Sequence, residues 1–225
     1  MVIAYAQRGH RVSFQYCSNE EAAARLEKAY GATAMRMDFA SPFAVDRMDF
    51  DVLVNGAGIN ESEDRTDAVD PGIWQRMLHV NLTAPFLLAQ SVLPGMVERG
   101  WGRIVNIGSI YSLRGAVLRA AYVASKHGLS GLTKTIANEY ADRGITCNEI
   151  CPAAVESRMI TRIAQDRARL HGRSVSDVLD DYRRTTPARR LGNPEEVAAV
   201  AIFLCTEEAG YINGSSITVD GGALA

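Results

Sequence analysis

Asp51-Val52-Leu53-Val54-Asn55-Gly56-Ala57-Gly58 reads as a short, almost unbroken apolar strand that runs directly into glycines. A strand with no polar face has to be covered on both sides, which is the habit of parallel sheets rather than of antiparallel ones. Two further stretches have the same character: Arg103-Ile104-Val105-Asn106-Ile107, and Ile145-Thr146-Cys147-Asn148-Glu149-Ile150, which Cys151-Pro152 closes. Arg11-Val12-Ser13-Phe14-Gln15-Tyr16 and Ile217-Thr218-Val219 add strands toward the two ends. Helices are predicted between them. Asn19 caps one that carries Glu20 and Glu21 in its first turn and ends at Gly31. Asp70-Pro71 opens another, to about Val97. Ala121 to about Asp142 is a third, and Asn193-Pro194-Glu195-Glu196 starts a fourth, to Thr206. This alternation predicts a single α/β domain over residues 1–225, with a doubly wound, mostly parallel sheet. Ligands of such sheets bind beyond the carboxyl ends of the strands, where Asn55, Ser109 and Pro152 fall.

The rest of the composition excludes more than it assigns. A net charge of −2 on 225 residues gives no global attraction to nucleic acid or an anionic membrane. No apolar run reaches the roughly 18 residues of a membrane span, and the N-terminus lacks the layout of a signal peptide. Cys17, Cys147, Cys151 and Cys205 form no C-x-x-C pair, so buried thiols are expected rather than zinc or a disulfide, and the cytoplasm is the default compartment. His79, His127 and His171 have no metal-like spacing, and no metal site is assigned.

Chemistry enters at Ala121-Tyr122-Val123-Ala124-Ser125-Lys126-His127-Gly128. Tyr122 and Lys126 stand four apart in a helical pattern and share a face. An ammonium near a phenol favours the phenolate, which predicts a lowered tyrosine pKa and a group able to exchange a proton with a substrate oxygen. Taken alone the spacing is common, and a packed ring beside a solvated lysine would produce it equally.

Read together, the motifs resemble the short-chain dehydrogenase/reductase family. They run in order: Asn55-Gly56-Ala57-Gly58, Asn81 within Val80-Asn81-Leu82, Ile107-Gly108-Ser109, Tyr122-x-x-x-Lys126, Cys151-Pro152-Ala153 through Ser157, Arg190-Leu191-Gly192-Asn193-Pro194-Glu195-Glu196, and Val219-Asp220-Gly221-Gly222. Residues from Gly100 to Leu132 are most similar to 3-oxoacyl-carrier-protein reductases and 3-hydroxybutyrate dehydrogenases. The resemblance implies a Rossmann-like fold and hydride transfer between a nicotinamide cofactor and a ketone or secondary alcohol, with the 3-oxoacyl class first. A hydroxy-acid or sugar dehydrogenase is the alternative.

By the same resemblance, Tyr122 is the acid or base, Lys126 lowers its pKa and bonds the nicotinamide ribose, and Ser109 holds the substrate oxygen. Asn81 marks a helix kink that holds a relay water. Strand-end capping for Ser109 and a solvated face for Asn81 are the plain alternatives. Asn55 and Ala57 line the adenosine side, Asp38 bonds the adenine amino group or is merely a turn acid, and Val155 and Ser157 meet the carboxamide. Gln15-Tyr16-Cys17-Ser18-Asn19 contains no acid to repel a 2′-phosphate, which favours NADP(H) modestly over NAD(H).

Family members open with a strand and a glycine-rich pyrophosphate turn. Here Ile3-Ala4-Tyr5-Ala6-Gln7-Arg8-Gly9-His10 matches the second half of the helix that follows, so an N-terminally truncated fold is expected, short by roughly 20 residues. The strands at Arg11 and Asp51 would then expose edges or pair directly. Either the native protein is longer, or the short form is genuine and is a dinucleotide-impaired binding or assembly subunit. Residues 158–190 match the substrate lid. They hold nine arginines against four aspartates, an excess of 9 − 4 = +5 that could attract a carboxylate or an acidic carrier. The plain alternative is a solvated helix pair with Met159, Ile160, Ile163, Val178 and Leu179 inward. A homodimer or homotetramer with a small-molecule substrate completes the expectation.

Overall fold

Two of the expected helix starts are built from the residue that signalled them. Asn19 Oδ1 accepts from the Ala22 amide at 3.0 Å, and Asp70 Oδ1 from the Ile73 amide at 2.9 Å. Gly31 ends the first of these helices at φ 64°, a left-handed backbone that favours glycine. The computed structural model describes residues 1–41, 43–61 and 63–225. Its elements are α1 (Val2–Ala6), β1 (Ser13–Tyr16), α2 (Glu20–Tyr30), β2 (Thr33–Arg36), β3 (Val52–Asn55), α3 (Pro71–Leu78), α4 (Ala84–Arg99), β4 (Gly102–Ile107), α5 (Ala120–Tyr140), β5 (Ile145–Pro152), α6 (Arg158–His171), α7 (Val175–Thr185), α8 (Pro194–Leu204) and β6 (Ser216–Val219).

The fold is α/β and Rossmann-like, and all ladders among the described strands are parallel. Its sheet comes in two pieces, β1-β2 and β3-β4-β5-β6. The strands at Arg11 and Asp51 therefore do not pair directly: β1 is laddered to β2, and β3 to β4. Burial reflects this. β4 and β5 are buried almost throughout, whereas Phe14, Tyr16, Val52, Leu53 and Val54 are half-buried, as strands with a free edge would be.

Successive residues of β4 serve opposite faces. Ile104 packs with Val92, Met96, Ile136 and Cys147 under α4 and α5. Val105 joins Ile150, Val197 and Leu204 under α8. Each such side chain contributes roughly 1.5–3 kcal/mol when buried. β2 escaped the sequence reading because Thr33-Ala34-Met35-Arg36 has no apolar run. β5 extends through Pro152, beyond the expected stop, because a proline that lacks an N–H is tolerated as the last residue of a strand.

α3 and α4 form one helical run, Pro71–Arg99, joined by a π-turn at His79–Thr83. By length and composition alone this run could cross a membrane, contrary to the sequence expectation. However, 56% of its apolar window is buried inside the protein, as a core helix would be.

Candidate active site

β4 delivers the chain to its carboxyl end at Ile107, and Gly108 leads to Ser109, which opens the 3₁₀ turn Ile110–Ser112. The Ser109 Oγ accepts from the Tyr111 amide at 3.2 Å, so the capping role expected on plain grounds is real. α5 then lays Tyr122 and Lys126 over the same strand end, both buried. Lys126 Nζ donates to the Ile107 carbonyl at 2.8 Å and lies 5.8 Å from the centre of the Tyr122 ring. The Ser109 hydroxyl acts on the Tyr122 phenol as a hydrogen-bond partner. Three residues from two elements thus meet in one buried place.

The electrostatics differ from the sequence expectation. Burial holds the Tyr122 phenol above its ordinary value, and the opposing influences come from Ser109 and the Arg119 guanidinium, with Lys126 not among them. Lys126 itself is held down at about 8, mainly by burial, while Glu149 and Cys151 act to raise it. Burial disfavours the charged form of each group, which raises the phenol and lowers the ammonium.

Asn81 sits fully buried inside the π-turn, which removes the solvated alternative. Its Oδ1 accepts from the Ile59 amide at 2.8 Å, and its Nδ2 donates to the Ile59 carbonyl at 2.9 Å and to Ser125 Oγ at 3.0 Å. A Cβ on Gly58 would lie 3.4 Å from Asn81 Oδ1 and 3.7 Å from Lys126 Nζ, in ordinary contact with both, so the chain runs alongside the two side chains there. π-turns recur at functional sites, where a widened helix turn re-aims a side chain.

The remaining predicted residues spread along the strand ends. Asn55 is buried at the end of β3, its Nδ2 on Asn106 Oδ1 at 2.8 Å and its Oδ1 buried without a partner. Ala57 is exposed beyond it. Asp38, exposed after β2, accepts from the Ala40 amide at 2.9 Å and from Ser41 Oγ at 3.3 Å, contacts that hold its carboxyl below the usual range. It behaves as a turn acid at the sheet end expected of an adenine contact. Val155 bridges to Gly192, and Ser157 caps α6 through the Ile160 amide at 3.4 Å. Its hydroxyl thus has a structural partner.

In the 158–190 segment, Ile160, Ile163 and Val178 are buried as expected, and Leu179 packs in the cluster of Val178, Ala164 and Ala168. Arg173, Arg183 and Arg184 make exposed pairs with aspartates of α7. Two others turn back toward Tyr122. Arg167 Nε donates to both Glu63 carboxylate oxygens at 2.9 Å, and Arg162 reaches the Asn60 carbonyl at 3.2 Å. Glu63 also binds the buried Arg119, which donates to Asn60 Oδ1 at 2.8 Å. The sequence reading missed Arg119, because only tertiary structure reveals an arginine buried one turn before Tyr122. It also missed Glu149, although an acid inside an apolar strand is itself a signal. A cavity of about 830 Å³ beside Trp101, Arg103 and Lys134 opens at the amino ends of β4 and β5, away from this cluster.

Comparisons with known proteins agree with the geometry. A family model described as enoyl-(acyl carrier protein) reductase matches residues 1–223. A D-beta-hydroxybutyrate dehydrogenase of Rhizobium meliloti (strain 1021) is 37% identical over 176 residues, which cover 78% of this chain and 68% of that one. An acetoacetyl-CoA reductase of Shinella zoogloeoides is 35% identical over 229 residues, covering 98% of this chain and 90% of its own. A solved structure described as a 2-deoxy-D-gluconate 3-dehydrogenase of Agrobacterium tumefaciens, with NADP bound, matches with a TM-score of 0.85 at 32% identity. That match covers 99% of this chain and 89% of the other.

Proposed function

The chain belongs to the short-chain dehydrogenase/reductase family, and from that premise we propose that it reduces a 3-oxoacyl-type ketone to a secondary alcohol, preferring NADP(H). The meeting of Ser109, Tyr122 and Lys126 at the carboxyl end of β4 carries the reading. A phenol held above its ordinary pKa keeps its proton at neutral pH, so Tyr122 is set to donate it to a carbonyl oxygen as negative charge develops there. Ser109 holds the same oxygen from the other side. Lys126 spends one ammonium proton on Ile107 and keeps others for a ribose hydroxyl. Asn81 sets the loop beside Lys126, and a water held at the π-turn returns protons toward it.

A bound nicotinamide supplies the hydride. The residues present fit such a group: Asn55 has an unpartnered buried oxygen, and Gly56 and Ala57 are exposed beside it. Asp38 on the adenine side, and Val155 with Ser157 on the carboxamide side, complete its bed. Arg36, in register with Tyr16 at the end of β1, is a cation suited to a 2′-phosphate, although Glu20 shares it at 3.2 Å. Residues 158–190 act as the lid. Assembly into a dimer or tetramer through α4 and α5 is supported by Phe86, an exposed aromatic on α4.

A specific observation favours a second reading, oxidation of a small hydroxy acid. Arg119 and Arg167 share one carboxylate, Glu63, and Arg162 reaches the nearby Asn60 carbonyl, an excess of positive charge suited to a substrate anion. Turnover of a panel of 3-oxoacyl thioesters, 3-oxo acids and their alcohols, with NADPH and with NADH, tests both. Turnover of the acids alone would replace the first reading with the second. Absence of binding to either cofactor, with the oligomer intact, would make the chain an assembly subunit.

A further inference from the structure

Glu149 is a carboxylate with no exposure at all, in the middle of β5. Burial of an ion is costly unless something requires its charge. Its two oxygens have separate tasks. Oε1 accepts from Ser112 Oγ at 2.7 Å, and that hydroxyl in turn accepts from the Ser109 amide at 3.1 Å. A hydroxyl has one proton, so a carboxylate that takes it leaves the lone pairs of Ser112 aimed at Ser109. Oε2 accepts from Ser216 Oγ at 3.0 Å, and Ser216 meets Ser130 at 3.3 Å on α5, one turn beyond Lys126. One side chain therefore grips both elements that carry the site.

Gly108 is shaped to this carboxylate. A Cβ there would stand 2.0 Å from Oε1 and 2.8 Å from Cγ of Glu149. The same contact bounds the distance to Lys126. Nζ is 2.8 Å from the Ile107 oxygen, the next peptide adds about 4 Å, and the remaining gap is 2.0 Å, so the charges lie within about 9 Å.

We propose that Glu149 is a positioning residue for the reaction: it fixes Ser109 through Ser112, fixes α5 through Ser216, and is the buried counter-charge of Lys126. It touches neither substrate nor cofactor. The inference rests on the proposed roles of Ser109, Tyr122 and Lys126. Among the described residues, the titratable groups that face the pair are Tyr122, Cys147 and Cys151. Both thiols are pushed up to about 12 by burial and stay neutral, so Glu149 is the one anion among them that acts on Lys126.

The test is Glu149→Gln, which keeps the shape and removes the charge. At an effective dielectric of about 20 and about 9 Å, the lost interaction shifts Lys126 down by at least about one pH unit. The chain has three lysines, Lys28, Lys126 and Lys134, so the ¹³Cε resonance of Lys126 can be titrated directly. The expected result is that downward shift, with kcat falling roughly tenfold, its alkaline limb moving to lower pH, and KM holding steady. Gly108→Ala with Glu149→Ala refills the space without the charge, and should fold normally yet keep the shifted titration. An unchanged Lys126 titration in Glu149→Gln, or a double variant that regains the native titration and rate, overturns the proposal. If Lys126 shifts but the native protein turns over no carbonyl, the positioning stands and the assigned reaction fails instead.

Discussion

Replacing Asn81 measures how much the π-turn depends on one amide. Asn81→Ala leaves the Ile59 amide and carbonyl without the partners they have at 2.8 and 2.9 Å, and removes a donor from Ser125 at 3.0 Å. A buried group left unmet costs about 1–3 kcal/mol, and Ile59 is half-buried, which argues for the low end. Ser125 keeps its own bond to the Tyr122 carbonyl at 2.8 Å and adds little. The sum is about 2–4 kcal/mol, measurable as a lower urea midpoint at constant slope. Asn81→Leu fills the same space without hydrogen bonds and should lose as much. Either variant costing under about 1 kcal/mol would mean that the amide only occupies volume, and would refute this account of the turn.

Tyr122→Phe should lower turnover by about 10²–10⁴-fold with cofactor affinity unchanged, as read by NADPH fluorescence titration; an active variant would remove Tyr122 from the chemistry. Lys126 titrates near 8 in the folded protein against 10.5 for an ordinary lysine, so a reaction that needs its ammonium should decline above about pH 8. Between those values the unfolded chain binds the additional proton, so this group makes stability rise with pH across that window, by about 3 kcal/mol in all. Thermal melts from pH 7 to 10 check the sign. Arg167→Gln, in contact with Glu63, should reduce kcat/KM for acetoacetate about tenfold while sparing its methyl ester; an equal loss on both would limit Arg167 to holding the lid.

Much of the frame was legible because its signals are local. Asn19, Asp70 and Gly31 act on backbone groups a few residues away, and the apolar runs at Val52, Ile104 and Ile145 need no context to be read as strands. Ser109, Tyr122 and Lys126 were legible as a set through motif order, and the fold brings them together. What failed depended on the third dimension. The rise in the Tyr122 pKa comes from burial that no spacing encodes, and the capture of Arg119 and Arg167 by Glu63 joins three distant segments. Division of the sheet between β1 and β3 is likewise a matter of which edges find partners, which the two strands alone do not decide.

The interlock of Gly108 with Glu149 constrains how this pocket can drift. With the carboxylate where it sits, a methyl group at position 108 would overlap Oε1 at 2.0 Å, so anything larger than hydrogen requires the Glu149 side chain to give way. A glycine without the acid would leave only a small void, whereas the acid without the glycine would collide. Any mutational route into this arrangement therefore passes through the glycine first, and any route out must surrender the acid before the space is refilled.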